Sequence, residues 1–361
     1  MSGRRCVAQL RATLGPGEAA LFLSPANRFY LTGMASSAGW CVVASDKGVF
    51  FTDFRYIEEA RRVIPHDDFL VVEYKRNRNA QLLELLTGWG IKQVLLEADF
   101  VTVREATRFG EALERMTLDL SGTLDTRMRD MRSVQSEEEI EKTARAVEST
   151  EQAFAETLPL LRRGMREREV AAELEYHMKK AGADGFAFET IAVTGANSSK
   201  PHGQPGDTAL AAGDLLTMDF GALYGGYCAD MTRTVAISEI GEEQRKVYET
   251  VRQAQELALA AIRPGIRCDA VDAVARDFID AAGYRGCFGH ALGHGVGVEI
   301  HEEPRFAPGC EILLQPGVII SVEPGIYLPG RFGVRIEDLV VVTADGCRNF
   351  NRSGKTLTVV D

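Results

Sequence analysis

The sequence predicts an α+β protein in which a smaller α/β domain precedes a larger domain of helices and antiparallel strands. Three observations predict this class. The chain has 361 residues, enough for two domains. Short apolar runs alternate with helical patterns up to about residue 125, and consecutive strand patterns dominate beyond residue 183. With 45% hydrophobic and 26% charged residues, the composition excludes a disordered or fibrous chain.

Charge and cysteine content restrict the partners and the compartment. The chain has 41 basic and 52 acidic residues and a net charge of −11, so we expect no nucleic-acid partner. No apolar run approaches the ~18 residues of a membrane span, and we expect no membrane association. The seven cysteines are scattered and contain no C-x-x-C, which favours free thiols in a cytoplasmic protein.

Short strand and helix patterns fill the N-terminal third of the chain. They predict strands at 20–24, 39–44 and 94–97 and helices at 55–63 and 79–88. Ser136 followed by Glu139 is a capping-box pattern, which starts a helix that continues to about residue 162. Since no Gly/Ser-rich or Pro-rich linker occurs, we predict domains at 1–128 and 129–361 with a helical connection.

Strands and helices are mixed in the rest of the chain. Helical patterns occur at about 166–181, 242–262 and 268–282. The predicted strands are 190–194, 214–222, 227–237, 317–322 and 333–343. Most of these strands follow one another directly, so we expect antiparallel pairing.

Two aspartates occur in a pair of strands that a glycine turn joins. Asp219 and Asp230 flank the Tyr-Gly-Gly segment 224–226. A turn at 224–225 or at 225–226 places both on the same face of the hairpin, because side chains alternate with period two. Like charges on one face repel each other unless a cation binds them or water surrounds them. The hairpin therefore indicates either a metal site or a polar, solvent-exposed strand face.

Histidines are concentrated in one part of the chain. Four of the six, His202, His290, His294 and His301, fall within one hundred residues, and the last three lie within twelve positions. Neighbouring glycines permit tight loops that present an imidazole to a cleft. For any one of these residues, a glycine-rich turn with a solvated histidine is the simpler interpretation, but three so close together favour a site.

Two glutamates lie in strongly apolar strand patterns. Glu323 ends the run GVIISVE, and Glu337 lies in FGVRIEDLVVV. Buried carboxylates are rare unless they are paired or bind a metal. An ion pair is the structural alternative, with Arg335 as the nearest partner for Glu337. Asp338 points to the opposite face and is expected to be solvated or structural.

Together these residues have the composition of a metal centre. Asp219, Asp230, His294, Glu323 and Glu337 provide four carboxylates and one imidazole, whose four negative charges match two divalent cations. An oxygen-rich set with one nitrogen favours Mn²⁺, Co²⁺, Fe²⁺ or Zn²⁺. Two such ions can share a water, lower its pKa and hold it as a nucleophile. The set therefore indicates hydrolytic chemistry.

The order of these motifs resembles the M24 metallopeptidases, which have the pita-bread (creatinase/aminopeptidase) fold. The resemblance rests on MDFGALYGGYCADMTRT, GHGVG, HEEP, SVEPGIY and VRIED, and SPANRFYLTG with FFTDFRYIEEA resembles the creatinase/prolidase-type N-terminal domain. It covers nearly the whole chain. It implies a smaller α/β creatinase-type domain before the pita-bread domain, and two metal ions bridged by water or hydroxide, most often Mn²⁺ or Co²⁺, with Zn²⁺ or Fe²⁺ as alternatives.

The resemblance also implies roles for residues around the metals. Glu323 would relay the proton of the attacking water, and His301 would contact the scissile carbonyl or the leaving group. His202 would lie in the substrate pocket, and His290 would line its proline side. Two further residues match substrate-contacting or supporting positions: Tyr327 and Arg335.

The creatinase-type domain implies cleavage before proline. We place prolidase, which hydrolyses Xaa-Pro dipeptides, first; the alternative is aminopeptidase P, which releases the residue before proline from longer peptides. In the family the N-terminal domain often closes the active site of a partner subunit, which implies a homodimer. A non-catalytic binding protein and a metal-free creatinase-like hydrolase on the same fold are further alternatives, and the presence of all five ligands opposes both.

Overall fold

The computed structural model describes residues 2–360, with side chains from Arg5 onward. The chain divides into two compact units, the first ending at Arg132 and the second beginning at Ser133. This division falls in the last turn of a helix, Thr123–Ser133.

A six-stranded mixed sheet forms the first unit. Its strands are β1 (Glu18–Phe22), β2 (Trp40–Ala44), β3 (Gly48–Thr52), β4 (Leu70–Glu73), β5 (Gln93–Leu96) and β6 (Thr117–Asp119). They lie in the order β4-β3-β2-β1-β5-β6. The pairs β1–β2 and β2–β3 are antiparallel, whereas β3–β4, β1–β5 and β5–β6 are parallel.

The helices of this unit are α1 (Ser2–Ala12), α2 (Pro25–Thr32), α3 (Ile57–Val63), α4 (Arg78–Gly88), α5 (Val103–Ala112) and α6 (Thr123–Ser133). Helices α3, α4 and α5 lie in the connections that lead to β4, β5 and β6, because a parallel pair needs a crossover connection. Leu82 and Leu86 of α4 and Phe109 of α5 pack on the apolar residues of the sheet. The predicted α/β character of this part is confirmed.

Antiparallel sheets dominate the second unit. Its strands are β7 (Gly185–Phe186), β8 (Ile191–Thr194), β9 (Leu215–Phe220), β10 (Ala222–Tyr224), β11 (Tyr227–Cys228), β12 (Met231–Ile237), β13 (Gly293–Gly295), β14 (Glu302–Phe306), β15 (Ile319–Val322), β16 (Gly325–Leu328), β17 (Phe332–Arg335), β18 (Asp338–Val342), β19 (Cys347–Asn349) and β20 (Val359–Val360). The sheets have the orders β11-β10-β7, β20-β12-β9-β8, β14-β13-β15-β18-β19 and β16-β17. Only β12–β20 pairs in parallel among these described strands.

Two pairs of helices cover these sheets. They are α7 (Glu137–Thr157) with α8 (Glu167–Lys180), and α9 (Glu242–Ala261) with α10 (Cys268–Ile279). The first pair shares a core cluster with Leu216 and Met218 of β9. The second pair shares one with Ile320 of β15 and Val340 of β18. The sheets thus lie between apolar helix faces, and the polar residues of the predicted site occupy the ends of strands.

Three predicted strands are each divided in the structure: 214–222 into β9 and β10, 227–237 into β11 and β12, and 333–343 into β17 and β18. The run 333–343 divides into β17, which pairs with β16, and β18, which pairs with β15. Ile336 and Glu337 lie between them, and the Glu337 amide donates to the carbonyl of Thr232 instead of continuing either ladder. An apolar run alone does not reveal such a change of partner, because both strands are buried.

The seven cysteines form no disulfide within the described residues. Within residues 2–360, every helix is either too short or too polar to cross a membrane.

Candidate metal centre

The aspartate hairpin has its turn at Gly225 and Gly226. Both glycines have positive φ, 55° and 79°, the backbone that a tight hairpin turn requires and that glycine adopts without strain. Leu223 pairs with Cys228, and Asp219 pairs with Thr232. Of the two registers left open by the sequence, the turn at 225–226 is therefore correct. Asp219 lies in β9, and Asp230 immediately precedes β12.

His294 and Glu323 come from neighbouring strands. His294 lies in β13, and Glu323 follows the last residue of β15. A Cβ atom on Gly293 would lie 1.9 Å from the Ser321 carbonyl oxygen, so the close approach of these strands requires glycine. Ser321 Oγ accepts from the His294 amide (3.0 Å) and donates to Glu323 Oε1 (3.2 Å).

Glu337 reaches the same centre from the link between β17 and β18. Thr232 Oγ1 donates to Glu337 Oε2 at 2.6 Å. The ion pair that the sequence offered as an alternative is not formed: Arg335 Nη2 instead donates to Asp219 Oδ2 at 2.5 Å. Asp338 is buried and structural, paired with Arg233 at 2.8 Å.

The five predicted ligands converge in one cluster, in which Asp230 and Glu337 are buried and the other three are half-buried. Asp230, His294 and Glu337 offer ligand atoms that all lie within 4.8 Å of one another. His294 Nε2 is 3.3 Å from Glu323 Oε1 and 3.6 Å from Asp230 Oδ2. Asp219 joins the cluster through its pairing with Thr232, whose hydroxyl contacts Glu337.

Burial and crowding determine the charge of these carboxyl groups. Burial raises the pKa of Asp230 well above its ordinary value, and the neighbouring Asp219 raises it further. Burial also raises the pKa of Glu337 well above its ordinary value, and the charge of Asp230 raises it further. Burial would also raise the pKa of Glu323, but the hydrogen bond and charge of the His294 ring prevail and lower it to about 2. The positive side chains of the protein therefore do not neutralise all the carboxylates of this cluster.

The donor set fits divalent cations. Among the described residues, no hydrogen-bond donor reaches Asp219 Oδ1 or Glu337 Oε1, although both atoms are buried. Buried oxygens without partners are costly unless a ligand such as a cation satisfies them. Four carboxylates and one imidazole are ligands suited to Mn²⁺, Co²⁺, Fe²⁺ or Zn²⁺.

A hydrogen-bonded chain of side chains extends from the cluster. Arg335 Nη1 donates to Tyr327 Oη (2.8 Å), and Tyr327 Oη lies 3.0 Å from His290 Nε2. Burial raises the pKa of Tyr327 to about 12 and lowers that of His290. The phenol is therefore protonated at neutral pH, and the imidazole is neutral.

The other two histidines lie near this cluster and are more exposed. The His301 ring meets the His294 ring edge to face, with centroids 4.4 Å apart. Partial burial lowers the pKa of His301, and the nearby His294 lowers it further. His202 also contributes to lowering the pKa values of His290 and His301, which places it near both.

Two residues that the sequence analysis did not single out support the ligands. Thr232 contacts Glu337 and also accepts from Arg335 Nε (3.1 Å), and Ser321 contacts His294 and Glu323. A signal for both was present. Each hydroxyl residue lies two positions from a ligand in its strand, Thr232 after Asp230 and Ser321 before Glu323, and so faces the same side.

Comparison with known proteins identifies the family. Residues 141–344 match metallopeptidase family M24, and residues 16–134 match the creatinase/prolidase N-terminal domain. The chain belongs to metallopeptidase family M24. It is therefore an enzyme of a class that uses divalent metal, and the predicted pita-bread domain after a creatinase-type domain is confirmed.

Relatives of this M24 peptidase match along almost its full length. A protein named Xaa-Pro dipeptidase from Pyrococcus furiosus is 35% identical over 92% of this chain and 93% of its own. A structure described as Xaa-Pro dipeptidase from Bacillus anthracis superposes with a TM-score of 0.94 at 32% identity, covering 99% and 100% of the two chains. One described as X-Pro aminopeptidase from Thermotoga maritima has a TM-score of 0.90 at 37% identity, covering 98% and 99%.

Proposed function

We propose that this M24 peptidase hydrolyses the Xaa-Pro bond of dipeptides, the prolidase reaction. The observation that carries the proposal is the convergence of Asp219, Asp230, His294, Glu323 and Glu337 in one cluster with unpaired oxygens. Relatives named Xaa-Pro dipeptidase, similar over nearly the whole chain, supply the substrate class.

The five ligands would hold two divalent ions, Mn²⁺ or Co²⁺ first and Zn²⁺ or Fe²⁺ as alternatives. Such ions neutralise the four carboxylates, lower the pKa of water and polarise the scissile carbonyl. Glu323 lies beside His294, with its Oε1 3.3 Å from His294 Nε2. As a carboxylate it would accept the proton of the attacking water and pass it to the leaving nitrogen.

The surrounding side chains would bind the substrate. His290 packs against Phe288 at 4.9 Å and Tyr327 at 5.5 Å, and these rings suit the flat, apolar ring of proline. His202 and His301 would donate hydrogen bonds to the carbonyl oxygen as negative charge develops there. Arg335 would hold Asp219 and Tyr327 in place through the hydrogen bonds that it donates to them.

Aminopeptidase P is the second candidate, favoured by the similarity to the Thermotoga maritima protein.

We propose that the protein is a cytoplasmic homodimer. In it, the N-terminal domain, residues 1–128, would limit the length of substrate that reaches the catalytic domain, residues 129–361. Such a barrier would exclude longer peptides from the cluster.

A comparison of substrates tests the proposal. Xaa-Pro dipeptides and Xaa-Pro-Yaa tripeptides are supplied to the Mn²⁺-loaded protein, with Asp230→Ala as the control for contaminating peptidase. We expect the wild type to cleave dipeptides only and the variant to cleave neither. Efficient cleavage of tripeptides would instead indicate aminopeptidase P, and cleavage of neither would contradict the proposed function.

A further inference from the structure

A buried glutamate outside the metal cluster contacts a single loop of the second unit. Glu167 is the first residue of α8, and its relative exposure is 0%. A buried carboxylate is costly unless several donors satisfy it. Its donors therefore show what the residue holds in place.

Within the described part of the chain, the hydrogen bonds of the Glu167 side chain come from residues 194–206. Oε1 accepts from the Thr194 amide at 2.8 Å, and Oε2 accepts from the Gly206 amide at 2.9 Å. Between these two, Asn197 Nδ2 donates to both carboxylate oxygens at 3.0 Å. One carboxylate thus fastens the two ends and an interior residue of the segment, which we call the His202 loop.

Further bonds make the His202 loop rigid and tie it to the site. Asn197 Nδ2 also donates to the Gln204 carbonyl (3.2 Å), and the Gly203 amide donates to the Lys200 carbonyl (3.0 Å). Arg335 Nη1 donates to the Pro201 carbonyl at 3.2 Å. The backbone on either side of His202 is therefore fixed.

The His202 ring has no such support. In the part of the chain that the structure describes, no hydrogen bond involves this ring, and the residue is exposed. Its position beside His290 and His301 therefore depends on the backbone of its loop.

We propose that Glu167 is a positioning residue, whose carboxylate fixes the His202 loop and so places the His202 imidazole for catalysis. The inference rests on the proposed function, in which His202 contacts the substrate. Among the described residues, the Glu167 carboxylate forms no hydrogen bond with any of the five predicted ligands.

Glu167→Gln tests this role with little change of shape. The carboxamide has only one acceptor oxygen. Its NH₂ group would face the backbone amide of Thr194 or Gly206, so that two hydrogen-bond donors would point at each other. We expect kcat/KM for an Xaa-Pro dipeptide to fall by at least about tenfold, because small displacements of positioned groups are costly. The bound metal should not change, since no ligand is touched.

A double-mutant cycle separates positioning from general damage. In a His202→Ala background, Glu167→Gln should lower kcat/KM by less than about twofold further, because the group that it positions is gone. Glu139→Gln is the matched control: this buried glutamate in the first turn of α7 bonds to Ser136 and Tyr227 instead. Its effect should add fully to that of His202→Ala. Full additivity for Glu167→Gln, or a wild-type rate in His202→Ala, would overturn the inference.

Histidine NMR supplies a readout that does not require activity. In ¹³C-histidine-labelled protein, His202→Ala identifies the His202 signal among the six histidines. Glu167→Gln should shift or broaden that signal, whereas Glu139→Gln should leave it unchanged. An unchanged His202 signal in Glu167→Gln would refute the inference. If the wild type hydrolyses no Xaa-Pro dipeptide, the proposed function fails and this experiment still decides the role of Glu167.

Discussion

Single hydroxyl groups form hydrogen bonds that link the predicted ligands to neighbouring side chains. Thr232 Oγ1 donates its one proton to Glu337 and accepts from Arg335, which in turn pairs with Asp219. One threonine therefore contacts Glu337 directly and Asp219 through Arg335. Partners of this kind fix ligand geometry, and their loss typically weakens metal binding.

Thr232→Val should reduce metal affinity by about 10–100-fold, because it removes the hydroxyl that links Glu337 to Arg335 and keeps the shape of the side chain. Thr250→Val is the control: this buried hydroxyl on α9 donates only to the Lys246 carbonyl. Calorimetric titration of Mn²⁺ into the metal-free variants checks the prediction. Equal affinities for Thr232→Val and the wild type would show that the Thr232 hydroxyl does not orient the ligands.

Strands and helices with a clear hydrophobic pattern could be located from the sequence. Helix α8 was predicted at 166–181 and spans Glu167–Lys180, because the spacing of apolar residues along a helix is local information. The short strands β13 and β14 were not predicted, since Gly293–Gly295 and Glu302–Phe306 lack the apolar alternation of a strand. β13 pairs with both β14 and β15, and its place beside β15 depends on parts of the chain that are distant in sequence.

Helix α7 offers a test of buried polar groups within one element. Thr143 and Thr150 both have an exposure of 0%. Thr150 Oγ1 donates to the Ala146 carbonyl and accepts from the Ala222 amide. Among the described residues, Thr143 Oγ1 has no partner.

The same substitution should therefore have opposite effects at these two sites. Thr143→Val should raise the free energy of unfolding by ~1 kcal/mol, because an unsatisfied hydroxyl is removed. Thr150→Val should lower it by ~1–3 kcal/mol, because the Ala222 amide loses its acceptor. Chemical denaturation of both variants measures the difference, and a loss of stability in Thr143→Val would contradict this explanation.

For the whole molecule, the residues of the candidate metal cluster could be proposed from the sequence. The hydrogen bonds that hold them in place could not. Carboxylates in apolar strands and histidines among glycines are unusual enough to be found in one sequence, as Glu323 and His294 illustrate. The partner of Arg335 was not predictable, since the choice between Glu337 and Asp219 depends on how β17 lies beside β12. The buried Glu167 was missed because its donors lie about 30 residues further along the chain.

The proposed function requires that Asp219, Asp230, His294, Glu323 and Glu337 form a metal-dependent Xaa-Pro peptidase centre. The most direct test strips the protein with a chelator and measures hydrolysis of an Xaa-Pro dipeptide while Mn²⁺ is titrated back, with Asp230→Ala in parallel. We expect no hydrolysis by the stripped protein, recovery that is complete at about two ions per chain, and no recovery in the variant. Full hydrolysis by the metal-free wild type, or recovery in Asp230→Ala equal to that of the wild type, would contradict the proposed function.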